Sequence, residues 1–171
     1  MKTLVIIAHP NIEGSKINKA WKTRLNKESN ITVHEIYSNY NDNKFDIAQE
    51  QKLLMEHDRI VFQFPFHWYN APSLLKEWQD RVLSFGFSHG PKGDKLKGKE
   101  FMLAISAGGQ KDSYQAGGAQ LYTISELTKT YQAMASFTGM KFLPTFVFYG
   151  THQLDENQIN ASADELASKL G

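Results

Sequence analysis

The sequence predicts an α/β protein built on a doubly wound, five-stranded parallel sheet of order 2-1-3-4-5, with helices on both faces. Three observations carry this. Residues 3–8 (TLVIIA), 60–64 (IVFQF) and 101–106 (FMLAIS) are apolar runs of strand length followed by turn formers, as in strands buried on both faces. Residues 31–37 (ITVHEIY) alternate apolar with polar side chains and residues 144–149 (PTFVFY) open on proline, and both traits suit sheet edges. Helical patterns follow each run, so strand and helix alternate five times, as crossover connections between parallel strands require.

Taken in order, residues 3–8 form the first strand and residues 15–27 the first helix, with Ser15 or Gly14 as its cap. Residues 31–37 and 46–56 give the second strand and helix. The third strand, 60–64, ends where Pro65 removes a ladder donor. The helix over 72–85 begins at Pro72, turns Leu74, Leu75, Trp78 and Val82 to one face, and stops near Gly86. Residues 101–106 and 119–137 are the fourth strand and helix, and 144–149 and 155–170 the fifth. The last helix is acidic and amphipathic, which suits a capping role on the core.

At 171 residues, 41% hydrophobic and 22% charged, the chain suits one soluble globular domain spanning residues 1–171. Its 19 basic and 18 acidic side chains leave a net charge of +1, which argues against nucleic acid, an anionic membrane or acidic substrates as partners. The absence of cysteine removes disulfides, thiolate nucleophiles and cysteine-based zinc sites. The start, MKTLVIIAHP, carries too short an apolar run for a signal peptide or a membrane span, and a cytoplasmic location is expected. Six scattered histidines and no carboxylate cluster of ligand spacing predict no metal site. The basic segment 89–100 (HGPKGDKLKGKE) has no interleaved aromatics and reads as a solvated loop.

In the predicted sheet order, ligands sit beyond the carboxyl ends of strands one and three, where the winding reverses. Three loops converge there. The first, HPNIEGSKIN, opens a helix whose unpaired N–H groups attract phosphate, and His9, Ser15 and Asn18 add side-chain donors. The plainer reading is an ordinary strand-to-helix turn that Ser15 merely caps. The second, PFHWYNAP, offers Phe66, Trp68 and Tyr69 as a wall for a flat ligand, with His67 and backbone N–H groups for its polar edge. The alternative is a set of rings folded back over the core. The third, SAGGQKDSYQAGG, permits close backbone approach at Gly108 and Gly109 and brings a phenol, Tyr114. Read singly, it is a flexible loop. Together the loops suit a mononucleotide with a planar head, and flavin mononucleotide (FMN) fits best.

Several blocks carry a resemblance: TLVIIAHP, Ser15-x-x-Asn18, FPFHWYNAPSLLKEWQDRVLSFGF, SAGG ahead of Tyr114, and SFTGMKFLPTFVFYG. They resemble the flavodoxin-like NAD(P)H:quinone oxidoreductases nearly end to end, above all the branch of YwrO-type, MdaB-type and general stress proteins and the KefF-like ancillary subunits of potassium-efflux systems. The most specific block is Pro65-x-x-Trp68-Tyr69-x-x-Pro72 leading to Leu75-Lys76-x-Trp78-x-x-Arg81-Val82. The resemblance implies a homodimer with its active site at the interface, in which bound FMN (FAD in some branches) passes two electrons from NAD(P)H to quinones, and in some members to nitroaromatic or azo compounds. It implies that His9, Ser15, Lys16, Ile17 and Asn18 hold the phosphate. Pro65, Phe66, His67, Trp68 and Tyr69 would line one side of the isoalloxazine, and Ser106, Ala107, Gly108, Gly109 and Tyr114 the other. Tyr114 and His67 are the catalytic candidates.

One departure stands out. Where mammalian members place a histidine proposed to act with the tyrosine in proton transfer, this chain has Gln120, so Tyr114 or solvent must serve. Trp78, Phe85 and Phe87 are expected to give spare apolar surface for a partner subunit. Two other classes compete with the enzyme: a flavodoxin-type electron carrier, which near-neutral charge disfavours, and a regulatory subunit of a potassium transporter.

Overall fold

The computed structural model describes residues 1–40, 44–152 and 154–171. Every side chain of β1 (Thr3–Ile7) is buried because alternate residues enter two different cores. Leu4 and Ile6 join one, Val5 and Ile7 the other. The remaining strands are β2 (Ile31–Glu35), β3 (Arg59–Pro65), β4 (Glu100–Ser106), β5 (Lys141–Phe142) and β6 (Phe146–Phe148). All pairings are parallel in the order β2-β1-β3-β4-β5, as the sequence predicts, and β6 also pairs with β4.

One face is covered by α1 (Lys16–Leu25) and α7 (Glu156–Leu170), whose Trp21, Leu25, Ile159 and Leu166 meet Val5, Ile7 and Val61. Trp21 Nε1 donates to Ser162 Oγ at 2.9 Å, so the indole nitrogen is satisfied inside this layer. The other face carries α2 (Ile36–Asn39), α3 (Ile47–Glu56), α4 (Ser73–Val82), α5 (Ile124–Leu127) and α6 (Lys129–Phe137). There Leu54, Leu74, Leu75, Trp78, Val82, Ile124 and Tyr131 cover Leu4, Phe62, Phe64 and Leu103.

Several boundaries differ from the sequence expectation, each for a local reason. The fifth strand is two short pieces, because Pro144 has no N–H for a ladder and the chain leaves β4 between Phe142 and Phe146. The helix expected over 119–137 starts only at Ile124: Leu121 has φ +64, and Thr123 and Glu126 form a reciprocal capping box. It breaks again at Thr128. β2 stops at Glu35, where a helical turn takes over. β3 includes Pro65, whose missing N–H faces past the end of the β1 pairing, while the Phe66 N–H on the other side bonds Ser106 O at 2.9 Å. Trp78 and Phe87 are core residues, and of the three rings expected at the surface only Phe85 is exposed. The 89–100 loop is anchored by the fully buried Leu96. Among the described residues no helix is long and apolar enough to cross a membrane.

Candidate functional site

The first loop leaves β1 through Ala8, whose N–H bonds Gln63 O at 2.9 Å, and reaches α1 through a short 3-10 turn. Ser15 caps α1: its Oγ accepts from Asn18 N–H at 3.1 Å, and its own O–H proton has no acceptor among the described residues. The N–H groups of Lys16 and Ile17 stand in the first turn, where no intrahelical carbonyl reaches them. Lys16 is exposed, while the Ile17 side chain is buried in the α1–α7 core, so only its backbone faces the loop. The Asn18 amide turns inward. Its Nδ2 donates to Ser106 Oγ at 2.9 Å, and its Oδ1 accepts from Gln63 Nε2 at 3.2 Å. This buried network ties α1 to the ends of β3 and β4, leaving Gln63 Oε1 without a partner among the described residues. His9 Nδ1 accepts from Asn11 N–H at 3.1 Å, which puts the ring proton on Nε2. Burial, and secondarily the nearness of His67, holds His9 below its ordinary value, so the ring is neutral.

The second loop is a two-residue hairpin. His67 N–H bonds Asn70 O at 2.8 Å and Asn70 N–H bonds His67 O at 2.9 Å, with Trp68 at φ 46 and Tyr69 at φ 63 between them. Two left-handed central residues define the turn that ordinarily takes Asn-Gly. For ordinary L-residues this geometry costs about 1–2 kcal/mol each. Strain of this kind gathers at functional sites. It turns Trp68 outward, 93% exposed. Phe66 stays half-buried, its ring 6.4 Å from Tyr69 and 6.3 Å from Tyr114.

The third loop leaves β4 at Ser106. Ala107 N–H bonds Phe148 O at 2.8 Å, and Gly150 N–H bonds Gly109 O at 2.9 Å. A methyl added at Gly108 would lie 2.7 Å from His152 Nε2, and one at Gly109 would lie 2.9 Å from Tyr114 Cε2. Gly109 is therefore demanded by the loop's own packing, and Gly108 by the His152 side chain that follows β6. Burial raises the Tyr114 phenol above its usual value, against the opposing pull of the Gly109 N–H, and Tyr69 adds to the rise. The phenol stays protonated and can donate. Gln120 is half-buried, and its N–H bonds Ser113 O at 2.9 Å.

The structure thus brings the three loops together: Asn18 meets Ser106, His9 lies near His67, and Phe66 faces Tyr114. Sequence reasoning missed three contributors. Gln63 holds Asn18 beside the expected Ser106, Tyr149 backs Tyr114 at 5.7 Å between ring centres, and Tyr131 donates to Asn70 Oδ1 at 2.8 Å. Gln63, a polar residue inside an apolar strand run, was the one visible signal. Chemically, the site offers free helix-start N–H groups, an outward aromatic turn and a protonated phenol. Among the described residues no group of three or more metal-ligating side chains occurs.

Comparison with known proteins agrees with this architecture. The family model described as flavodoxin-like fold matches residues 1–170. The "Uncharacterized NAD(P)H oxidoreductase YdeQ" of Bacillus subtilis (strain 168) is 52% identical over 99% of this chain and 86% of its own. General stress protein 14 of the same organism is 52% identical over 99% and 97%. The ancillary protein KefG of the glutathione-regulated potassium-efflux system of Escherichia coli O1:K1 / APEC is 38% identical over 98% and 87%. Among solved structures, general stress protein 14 of Treponema denticola in complex with FMN superposes with TM-score 0.96 at 38% identity, covering 99% and 98%. An NADPH-quinone reductase from P. pentosaceus gives 0.91 at 34%, covering 100% and 98%. A chain described as a thermophilic tryptophan halogenase from Streptomycin violaceusniger gives 0.94 at 44%, covering 98% and 96%. Matched from its first residue to its penultimate one, and more than half identical to relatives along nearly its whole length, this chain belongs to the flavodoxin-like fold family.

Proposed function

We propose that this chain is a flavin-dependent NAD(P)H:quinone oxidoreductase that takes FMN as its cofactor. The observation that carries the reading is the convergence, at the carboxyl ends of β1, β3 and β4, of an unsatisfied helix start, an outward aromatic turn and a protonated phenol. FMN and quinone reduction stand in the descriptions of two relatives of near-equal length. When bound, FMN would supply two-electron hydride chemistry between NAD(P)H and the acceptor.

The residues fit that group. Among the described residues, the Lys16 and Ile17 N–H groups and the Ser15 hydroxyl are donors without acceptors, as a phosphate requires. Phe66, Trp68 and Tyr69 offer flat surface, while in the opposite loop Gly109 packs against Ser113 and Tyr114 and Gly108 against His152. Tyr114 keeps its proton, and His67 stands exposed on the aromatic turn. A carboxamide at Gln120 cannot relay that proton, so Tyr114 exchanges it with solvent.

Exposed Phe85 and Phe137 lie at the far ends of α4 and α6, while exposed Trp68, Leu121 and Tyr122 leave apolar surface beside the slot. A second copy of the chain would cover it, making a homodimer with the slot at its interface. KefG relatives support a second role as an ancillary subunit of a potassium transporter, which leaves the enzymatic role in place.

The test is direct. Purified protein should be yellow, release FMN on denaturation, oxidise NADH or NADPH with a quinone acceptor, and sediment as a dimer. A chain that neither carries nor takes up flavin sinks the reading, and full activity from a monomer at micromolar concentration removes the shared site. Co-purification with a potassium-efflux transporter would establish the ancillary role.

A further inference from the structure

The Trp68–Tyr69 turn holds two consecutive L-residues in left-handed space, and such a turn persists only where its surroundings over-determine it. Its own two hydrogen bonds, between His67 and Asn70, close the turn but tie it to nothing else. Asn70 makes the outside tie. Its Oδ1 accepts from Ala71 N–H at 2.8 Å and from the Tyr131 hydroxyl at 2.8 Å.

Tyr131 reaches the turn from α6, across 61 residues of sequence, and is only 5% exposed. Its ring stacks on Phe64 at 5.8 Å and meets Phe62 edge-on at 6.3 Å. Both partners are fully or nearly fully buried in β3, so the hydroxyl is held in place by the core itself. Burial pushes the phenol up to about 12, which keeps it a donor throughout the neutral range.

We propose that Tyr131 is a positioning residue for the flavin slot: through Asn70 it holds the Trp68–Tyr69 turn in its left-handed form before any ligand arrives. This rests on the reading of the slot given above. A merely structural tyrosine would act through its ring, which phenylalanine keeps. A positioning tyrosine acts through its hydroxyl, which phenylalanine lacks. Without that bond the strained turn samples relaxed conformations, and apparent affinity falls with the fraction of chains that keep the competent form. One net hydrogen bond corresponds to a loss of about 3- to 10-fold.

The experiment compares wild type, Tyr131→Phe, Asn70→Ala and Asn70→Asp. Amide exchange at Asn70 reads the turn, and FMN titration of the flavin-stripped full chain reads the slot. Exchange about 3- to 10-fold faster in Tyr131→Phe and Asn70→Ala, with FMN affinity weaker by a similar factor, is expected. Asn70→Asp keeps an acceptor oxygen and should retain wild-type protection, and Tyr131→Phe combined with Asn70→Ala should add nothing to Asn70→Ala alone. Unchanged exchange in Tyr131→Phe, unchanged FMN affinity beside faster exchange, or additive effects in the double variant overturn the proposal. Asn70 is exposed, so even if Tyr131→Phe folds poorly, Asn70→Ala with parent-like exchange overturns the proposal. If wild type itself takes up no FMN, the flavin reading fails, and exchange alone then decides whether Tyr131 holds the turn.

Discussion

Replacing Trp68 with glycine is expected to leave the fold as stable as the parent while weakening flavin binding. The indole is 93% exposed, so deleting it uncovers almost nothing. A tryptophan buries at most about 250 Å², of which the covered remainder is some ~18 Å², or ~0.4 kcal/mol at about 25 cal/mol/Å². Against this, glycine relieves the left-handed backbone at φ 46, a gain of about 1–2 kcal/mol. Its freedom in the unfolded chain returns about 0.5–1 kcal/mol of that. The net lies between about −0.4 and +1 kcal/mol, or roughly −2 to +4 °C in melting temperature for a chain of this size. Trp68→Ala removes the same ring but keeps the strain, and should melt slightly below the glycine variant. Both lose one aromatic contact with the ligand, about 0.5–1.5 kcal/mol, so FMN should bind about 3- to 10-fold more weakly. Thermal melts of flavin-stripped protein and FMN titrations measure the two quantities. A drop beyond about 6 °C in both variants would show that the indole is covered in the working assembly. Parent-like FMN affinity in both would show that the ring plays no part in the slot.

Ser15→Asp keeps a good helix cap, so the fold should hold, but it sets a carboxylate against the phosphate, and FMN occupancy should fall at least about tenfold; occupancy equal to the parent's would refute the phosphate assignment. Gly109→Ala places a methyl 2.8 Å from Ser113 Oγ and 2.9 Å from Tyr114 Cε2, so the phenol must shift; quinone turnover should fall severalfold in steady-state assays, and parent turnover would remove Tyr114 from the chemistry. Burial alone would raise the Glu50 carboxyl, but bonds from His34, Tyr40 and Trp78 outweigh it and hold the group below its ordinary value. The stability this supplies is present above the unfolded carboxylate value near ~4.3 and lost as pH falls through the lower folded value. Glu50→Gln should therefore melt several degrees below the parent at pH 7, with the gap closing in acid; a gap that does not change with pH would show that the charge is immaterial.

The sheet order was readable in the sequence because the apolar content of a strand reports how many of its faces are covered. TLVIIA, IVFQF and FMLAIS have no polar face and lie inside, while alternating ITVHE and the proline-led last strand lie at the edges. Three helix starts were readable to within a residue, since Ser15, Asp46 and Asp155 cap by side-chain chemistry that acts over three residues. The late start of α5 and the broken last strand also had local signals, in Thr123-x-x-Glu126 and in Pro144, which helical periodicity over 119–137 and an apolar run over 144–149 outvoted. Other features had no local trace. Trp21, Trp68 and Trp78 are the same residue, and only the sheet's layers decide that two are buried and one stands in solvent. The left-handed turn at Trp68–Tyr69 uses residues whose own preference is against it, so no propensity reveals it. Its anchor lies 61 residues along the chain, and the Asn18–Ser106 bond spans 88. The chain alone therefore determined which segments must be covered, through preferences acting within a few residues. The tertiary structure decided which polar groups meet across the ends of the strands, because such bonds form only after packing has brought distant segments into contact.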